Sequence, residues 1–184
     1  MRVISGKSKG FKLLSVPGNL TRPISDRVKT SLFNIIGSDI EKASILDLFA
    51  GTGSVGIEAL SRGANYALFI DNNVRAVSTI NKNLSNTKLV ANAHVIKIDA
   101  FNFIRNQPPY GFDYIYIAPP QYKELWIDAV TLLDDYPGWL SRNGWIIVQV
   151  FPKEYRKVDL KNFIEFDQRK YGSSLIVFYS FEGN

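Results

Sequence analysis

The sequence predicts an α/β protein built on a mostly parallel sheet, and three observations carry that expectation. Apolar runs at 45–49, 66–70, 94–98, 113–117 and 145–150 are near-continuous rather than alternating, as in strands covered on both faces. Segments with helical periodicity separate them. Between the first run and the first such segment stands Ile45-Leu46-Asp47-Leu48-Phe49-Ala50-Gly51-Thr52-Gly53-Ser54-Val55-Gly56. Its glycines have the Gly-x-Gly-x-x-Gly spacing of a strand, tight turn and helix around a nucleotide.

In chain order, residues 2–5 and 11–16 read as two short strands joined through 6–10, a basic hairpin ended by Pro17-Gly18-Asn19. Ser25 can cap a helix whose apolar stripe is Val28, Leu32, Ile35 and Ile36. The five core strands follow, with helices expected near 54–61, 73–84 and 124–134 and a short one within 100–106. Residues 163–168 and 174–181 form a final pair around Tyr171-Gly172, a placement that favours antiparallel pairing.

The 184 residues are 46% apolar, enough for one full core, and no apolar run nears the roughly 20 residues of a membrane span. Arg2, Lys7, Lys9 and Lys12 interrupt any signal-peptide pattern, so a cytoplasmic protein is expected. The chain has no cysteine, which excludes disulfides, thiolate zinc sites and thiol nucleophiles. No metal site is expected, His94 is assigned no role, and a monomer is expected. Charge is uneven. Residues 1–30 hold seven basic residues and one acid, a net +6 against +5 for the whole chain. A basic arm on a nearly neutral body points to a polyanion, nucleic acid first, with a solubilising terminus as the alternative.

Asp47 narrows the glycine-loop ligand. A carboxylate beside the loop would repel a pyrophosphate seated on the helix N-terminus, which argues against a nicotinamide oxidoreductase. It suits a cationic ligand, and S-adenosylmethionine carries an ammonium and a sulfonium. Two more acids end strands. Asp71, 18 residues after Gly53, has the spacing of an acid that grips ribose hydroxyls, and Asp99 could accept from an adenine amino group. A single acid after a strand is commonly a turn or cap residue. Three in succession behind a glycine loop make an adenosine pocket. The expected cofactor-binding residues are Asp47, Ala50, Gly51, Gly53, Asp71, Asn72, Asp99 and Ala100.

The fourth strand runs into Ala118-Pro119-Pro120-Gln121-Tyr122. Two prolines stiffen the loop and leave carbonyl acceptors without N–H donors. The segment resembles the (Asp/Asn)-Pro-Pro-(Tyr/Phe) motif of methyltransferases that act on exocyclic amines of bases. Beyond it, Arg2-Val3-Ile4-Ser5-Gly6-Lys7, Arg22-Pro23-Ile24-Ser25-Asp26-Arg27-Val28-Lys29, Ser31-Leu32-Phe33-Asn34, the glycine loop and Glu58-Ala59-Leu60-Ser61-Arg62-Gly63 resemble the RsmD-type family, bacterial 16S ribosomal RNA guanine-N2 methyltransferases.

The resemblance implies a seven-stranded, Rossmann-like S-adenosylmethionine-dependent methyltransferase fold with a small N-terminal β-hairpin/helix extension. It implies residues 1–40 as a basic, RNA-facing unit and 41–184 as the methyltransferase domain. It implies transfer to guanine N2 in 16S rRNA or the small ribosomal subunit, with Pro119, Pro120, Gln121 and Tyr122 at the target base. Lys7, Lys9, Lys12, Arg22 and Arg27 are then expected on the nucleic acid. The chain departs from the family pattern at Thr30, where Glu is usual, and at Ala118, where the motif acid is replaced. Gln121 takes the aromatic position, with Tyr122 one step later. Ala118 keeps a second reading open: an RNA-binding module that retains the pocket and has lost catalysis.

Overall fold

The structure is a computed structural model that describes residues 1–18, 24–120 and 124–183. Among these, seven strands form one sheet in the order β3-β2-β1-β4-β5-β7-β6. They are β1 (Ser44–Asp47), β2 (Tyr66–Asp71), β3 (Ala93–Lys97), β4 (Phe112–Ile117), β5 (Leu140–Val150), β6 (Phe163–Tyr171) and β7 (Ser174–Phe181). The first five run parallel, and β7 pairs antiparallel with both β5 and β6. The strand order reverses between β1 and β4, and ligands bind outside the carboxyl ends of strands at such a switch point.

The helices are α1 (Asp26–Ile36), α2 (Ser54–Ser61), α3 (Val74–Thr87), α4 (Ala100–Ile104) and α5 (Leu125–Asp135). Successive strand residues point to opposite faces, so each strand feeds two cores. Ile45, Phe69, Tyr116 and Ile147 join Val28, Phe33, Ile57 and Ile80 on the face covered by α1–α3. Leu46, Leu68, Ile115 and Ile146 join Ile104, Trp126 and Leu133 under α4 and α5. Ser25 caps α1 as expected, its hydroxyl accepting the Val28 N–H. Gly37, at φ 66°, ends the helix.

The seven strands and five helices fall where the sequence puts them, with shifted ends. The first strand stops at Asp47 rather than 49, because Leu48 begins the loop. The fifth begins at Leu140 rather than 145, and the sixth reaches Tyr171.

The N-terminal hairpin forms, and it is short. Its arms pair antiparallel at Arg2 and Lys12, with Val3 N–H donating to the Phe11 carbonyl and Gly10 N–H to the Val3 carbonyl, both at 2.9 Å, and Leu13 N–H to the Met1 carbonyl at 3.2 Å. The pairing stops there because the neighbouring donors go elsewhere. The Ile4 and Ser5 N–H groups are taken by the Glu58 carboxylate at 2.8 and 3.0 Å, and Leu14 N–H by Asn83 Oδ1 at 2.7 Å. Backbone on either side of the paired residues is thus fastened to α2 and α3. Val3, Leu13 and Ile24 share the core of α1–α3.

Candidate active site

β1 ends in Asp47, at the switch point. Its side chain is 2% exposed. Oδ1 is buried without a hydrogen-bond partner, while the carboxylate takes the backbone N–H of Gly56 at the start of α2. Burial pushes its pKa up to about 7, the Gly56 N–H opposes that, and nearby Asp71 adds to it. An orphaned buried acceptor of this kind is expensive unless a ligand completes it.

The glycine loop is tied on both sides. Leu48 N–H donates to the Tyr116 carbonyl on β4, and Ala50 N–H to the Ile70 carbonyl on β2, both at 3.0 Å. Gly51 N–H reaches Asp71 Oδ2 at 2.8 Å. Gly51 and Gly53 have φ of 55° and 74°, conformations that L side chains rarely adopt. Gly56 answers a different need: a Cβ there would lie 2.3 Å from the Phe69 ring, so its absence lets α2 lie against β2.

Asp71 ends β2. Oδ2 holds Gly51 N–H and Oδ1 holds Asn73 N–H at 2.8 Å. The carboxylate therefore shapes the loop, and each oxygen keeps a second lone pair for a hydroxyl. Asn72 beside it is exposed, and Asn73 caps α3 by accepting Arg75 N–H. Asp99, at the end of β3, caps α4 through Asn102 N–H at 3.0 Å, with Ala100 buried behind it. The acids at 47, 71 and 99 thus stand at the carboxyl ends of three adjacent strands, β1, β2 and β3.

On the other side of the switch point, β4 delivers Ala118, Pro119 and Pro120, the first two half-buried and the third exposed. Position 118 has no side-chain acceptor. Gln121 and Tyr122 lie outside the described residues, as does Arg22. Two strand residues earlier, Tyr116 faces Asp47 across the β1–β4 pair and donates its buried hydroxyl to Gln149 Oε1. Burial and the Asp47 charge raise the Tyr116 pKa well above its ordinary value.

Three site-supporting residues escape the sequence reading. Lys29 counts there as part of the basic arm, yet its side chain is fully buried. Its ammonium donates to the Arg2 carbonyl at 2.7 Å and Ser54 Oγ at 3.0 Å, and lies 3.4 Å from Glu58 Oε2. Burial pulls its pKa down, with Glu58 opposing. Glu58, also fully buried, holds Arg62 at 2.8 Å. Asn83, buried in α3, joins Leu14 of the arm to the Thr52 carbonyl of the glycine loop. The Glu58–Arg62 i, i+4 spacing was the one visible signal. Lys7, Lys9, Lys12 and Arg27 are exposed, as a surface role requires. A separate cleft of about 350 Å³, lined by Asp39, Asp113, Tyr114 and Trp145, opens at the opposite, amino ends of β1 and β4.

This sheet order, with a glycine loop and an acid on each side of it, defines a Rossmann-like methyltransferase. The family model described as Conserved hypothetical protein 95 matches residues 1–180, and the chain belongs to that family. It is 42% identical to Bacillus subtilis YlbH over 81% of this chain and 82% of the relative. It is 36% identical to the Ribosomal RNA small subunit methyltransferase D of Haemophilus influenzae, covering 81% and 78% of the two chains. The solved structure of Escherichia coli YhhF superposes with a TM-score of 0.88 at 30% identity, covering 100% of this chain and 99% of that one.

Proposed function

We propose that this protein transfers a methyl group from S-adenosylmethionine to the exocyclic N2 of a guanine in 16S ribosomal RNA. The observation that carries the reading is the buried Asp47 carboxylate, whose Oδ1 has no hydrogen-bond partner, beside a glycine loop at the β1–β4 switch point. The residues fit such a donor. Asp47 offers a counter-charge to its ammonium, and Gly51 and Gly53 leave room for close approach. Asp71 has lone pairs for ribose hydroxyls, and the uncapping oxygen of Asp99 is left for the adenine amine. The relatives named as small-subunit rRNA methyltransferases support the RNA substrate.

When bound, the donor supplies an electrophilic methyl on a sulfonium. The protein's part is positioning. The rigid Ala118-Pro119-Pro120 segment brings carbonyl acceptors to the amine hydrogens, which localises the N2 lone pair for in-line attack. The N–CH3 bond forms as the S–CH3 bond breaks, and N2 loses a proton to solvent. A base must leave its stack to reach this depth. Gln121 stands in as the amide acceptor and Tyr122 as the stacking ring. Residues 1–40 act as the RNA-facing unit, with Lys7, Lys9, Lys12, Arg22 and Arg27 on phosphates.

Ala118 favours one second reading, a pocket-bearing RNA-binding module without turnover. Losing one charged hydrogen bond is worth about 1.5–3 kcal/mol, a roughly 10- to 150-fold rate loss, which slows an enzyme without abolishing it. Incubation with methyl-labelled donor and small subunits that lack modification should place label in the rRNA and none in the ribosomal proteins. Unlabelled rRNA would overturn the enzymatic reading.

A further inference from the structure

The N-terminal segment is more than a run of cations. Its loop is locked: Ser8 is buried, donates its N–H to Ser61 Oγ at 2.9 Å, and donates its hydroxyl to the Thr87 carbonyl at 2.8 Å. Lys7 N–H donates to the Ser61 carbonyl. Gly6, at φ 81°, sits so close that a Cβ would meet that same carbonyl at 1.8 Å. This anchoring fixes the backbone of residues 3–13 and leaves Phe11 standing out, 43% exposed. A lone exposed apolar side chain is ordinary. Phe11 is flanked by exposed Lys9 and Lys12, with exposed Leu14 beyond. Arg2 and Lys12 are also direct cross-strand partners. Like charges opposed in this way repel, and an anion between them turns repulsion into attraction. Arg2 reaches Asp26 at 3.6 Å, an exposed pair that a phosphate can displace.

We infer that Phe11 is a stacking platform for an unpaired RNA base, with Arg2 and Lys12 holding the adjoining phosphate. The inference rests on the rRNA reading and deepens it by naming the contact outside the methyl-transfer pocket. A base offers a flat π-face to an aromatic ring, and a strand of unpaired RNA supplies base and phosphate together. Because the loop is already rigid, little order remains to be imposed on binding.

The test compares affinities of wild type, Phe11→Leu, Phe11→Trp and Lys12→Ala for three probes: a short single-stranded RNA, an abasic oligomer of equal length, and inorganic polyphosphate. Phe11→Leu should lower RNA affinity roughly 5- to 150-fold, leave both base-free probes unchanged, and leave the salt slope unchanged. Phe11→Trp should bind RNA at least as well as wild type. Lys12→Ala should weaken all three probes and flatten the salt slope. Thermal melting of each variant checks that the loop stays docked. If Phe11→Leu binds RNA like wild type while Lys12→Ala does not, stacking is overturned and the RNA reading stands. If wild type binds none of the probes, both fall.

Discussion

The Asp47 carboxyl is raised to about 7 by burial, against an ordinary value of 3.8. A carboxyl whose folded pKa lies above its unfolded one contributes stability that is complete below the unfolded value and is lost as pH rises through about 7. In the ligand-free protein at pH 8, Asp47→Asn should therefore be the more stable form, by on the order of 1–4 kcal/mol. The gap should close towards pH 4, as urea melts at the two pH values would record. The same change should weaken S-adenosylmethionine binding, and wild-type affinity should climb with pH through 7 while the variant's stays flat. A donor affinity equal in the two proteins would remove Asp47 from the site. Glu58 is buried in an ion pair, 3.4 Å from the Lys29 ammonium. Glu58→Gln leaves the Lys29 ammonium buried without its counter-charge, so a loss of about 3–5 kcal/mol is expected. Lys29→Met added to it should recover part of that loss in chemical denaturation. Asp47 was legible in the sequence because a charge inside an apolar strand is conspicuous. Lys29 was not, because a lysine in a basic stretch looks like all the others until its partner, 29 positions away, is brought against it.

At the scale of the element, α2 links the two halves of the account. Its first turn receives the glycine loop, its middle lies on β2 through Gly56, and its last residues fasten the N-terminal segment. Gly56→Ala would drive a methyl into the Phe69 ring, and overpacking of this kind costs about 1–3 kcal/mol. The expected result is a lower melting temperature together with weaker donor binding, since α2 must move away from β2 and carry the loop with it. Unchanged donor affinity would show that the loop holds its shape independently of α2. The helix and its loop were readable from local pattern, the glycine spacing and the apolar runs around it. The N-terminal hairpin was legible from the strand-like composition of residues 2–5 and 11–16, but not how soon its pairing ends. The Ile4, Ser5 and Leu14 donors are claimed by Glu58 and Asn83, more than 50 positions away, and composition carries no trace of that.

Over the whole molecule, cations and cofactor loop share one body, since Asn83 joins Leu14 to Thr52. Replacing Lys7, Lys9 and Lys12 by Ala should weaken RNA binding and flatten its salt dependence, with donor affinity unchanged in calorimetry. Equal RNA binding at low and moderate salt would reduce the arm to a solubilising surface. The class of the sheet was legible from apolar strands alternating with helices, and the position of the acids followed from it. The order of strands, with β1 and β4 side by side, was not written in any single segment. It emerges from pairing, and it is what sets Asp47 and the Ala118-Pro119-Pro120 segment at the carboxyl ends of two neighbouring strands. Among the described residues no helix is long and apolar enough to cross a membrane. The most direct measurement is nucleoside mass spectrometry of 16S rRNA from unmodified small subunits after incubation with the protein and methyl-labelled S-adenosylmethionine, run beside Asp47→Asn and Ala118→Asp. Labelled N2-methylguanosine is expected at one position with wild type, less with Asp47→Asn, and as much or more with Ala118→Asp. Label on another base or atom would contradict the N2 assignment. No label with wild type and label with Ala118→Asp would contradict the active enzyme and leave the RNA-binding module.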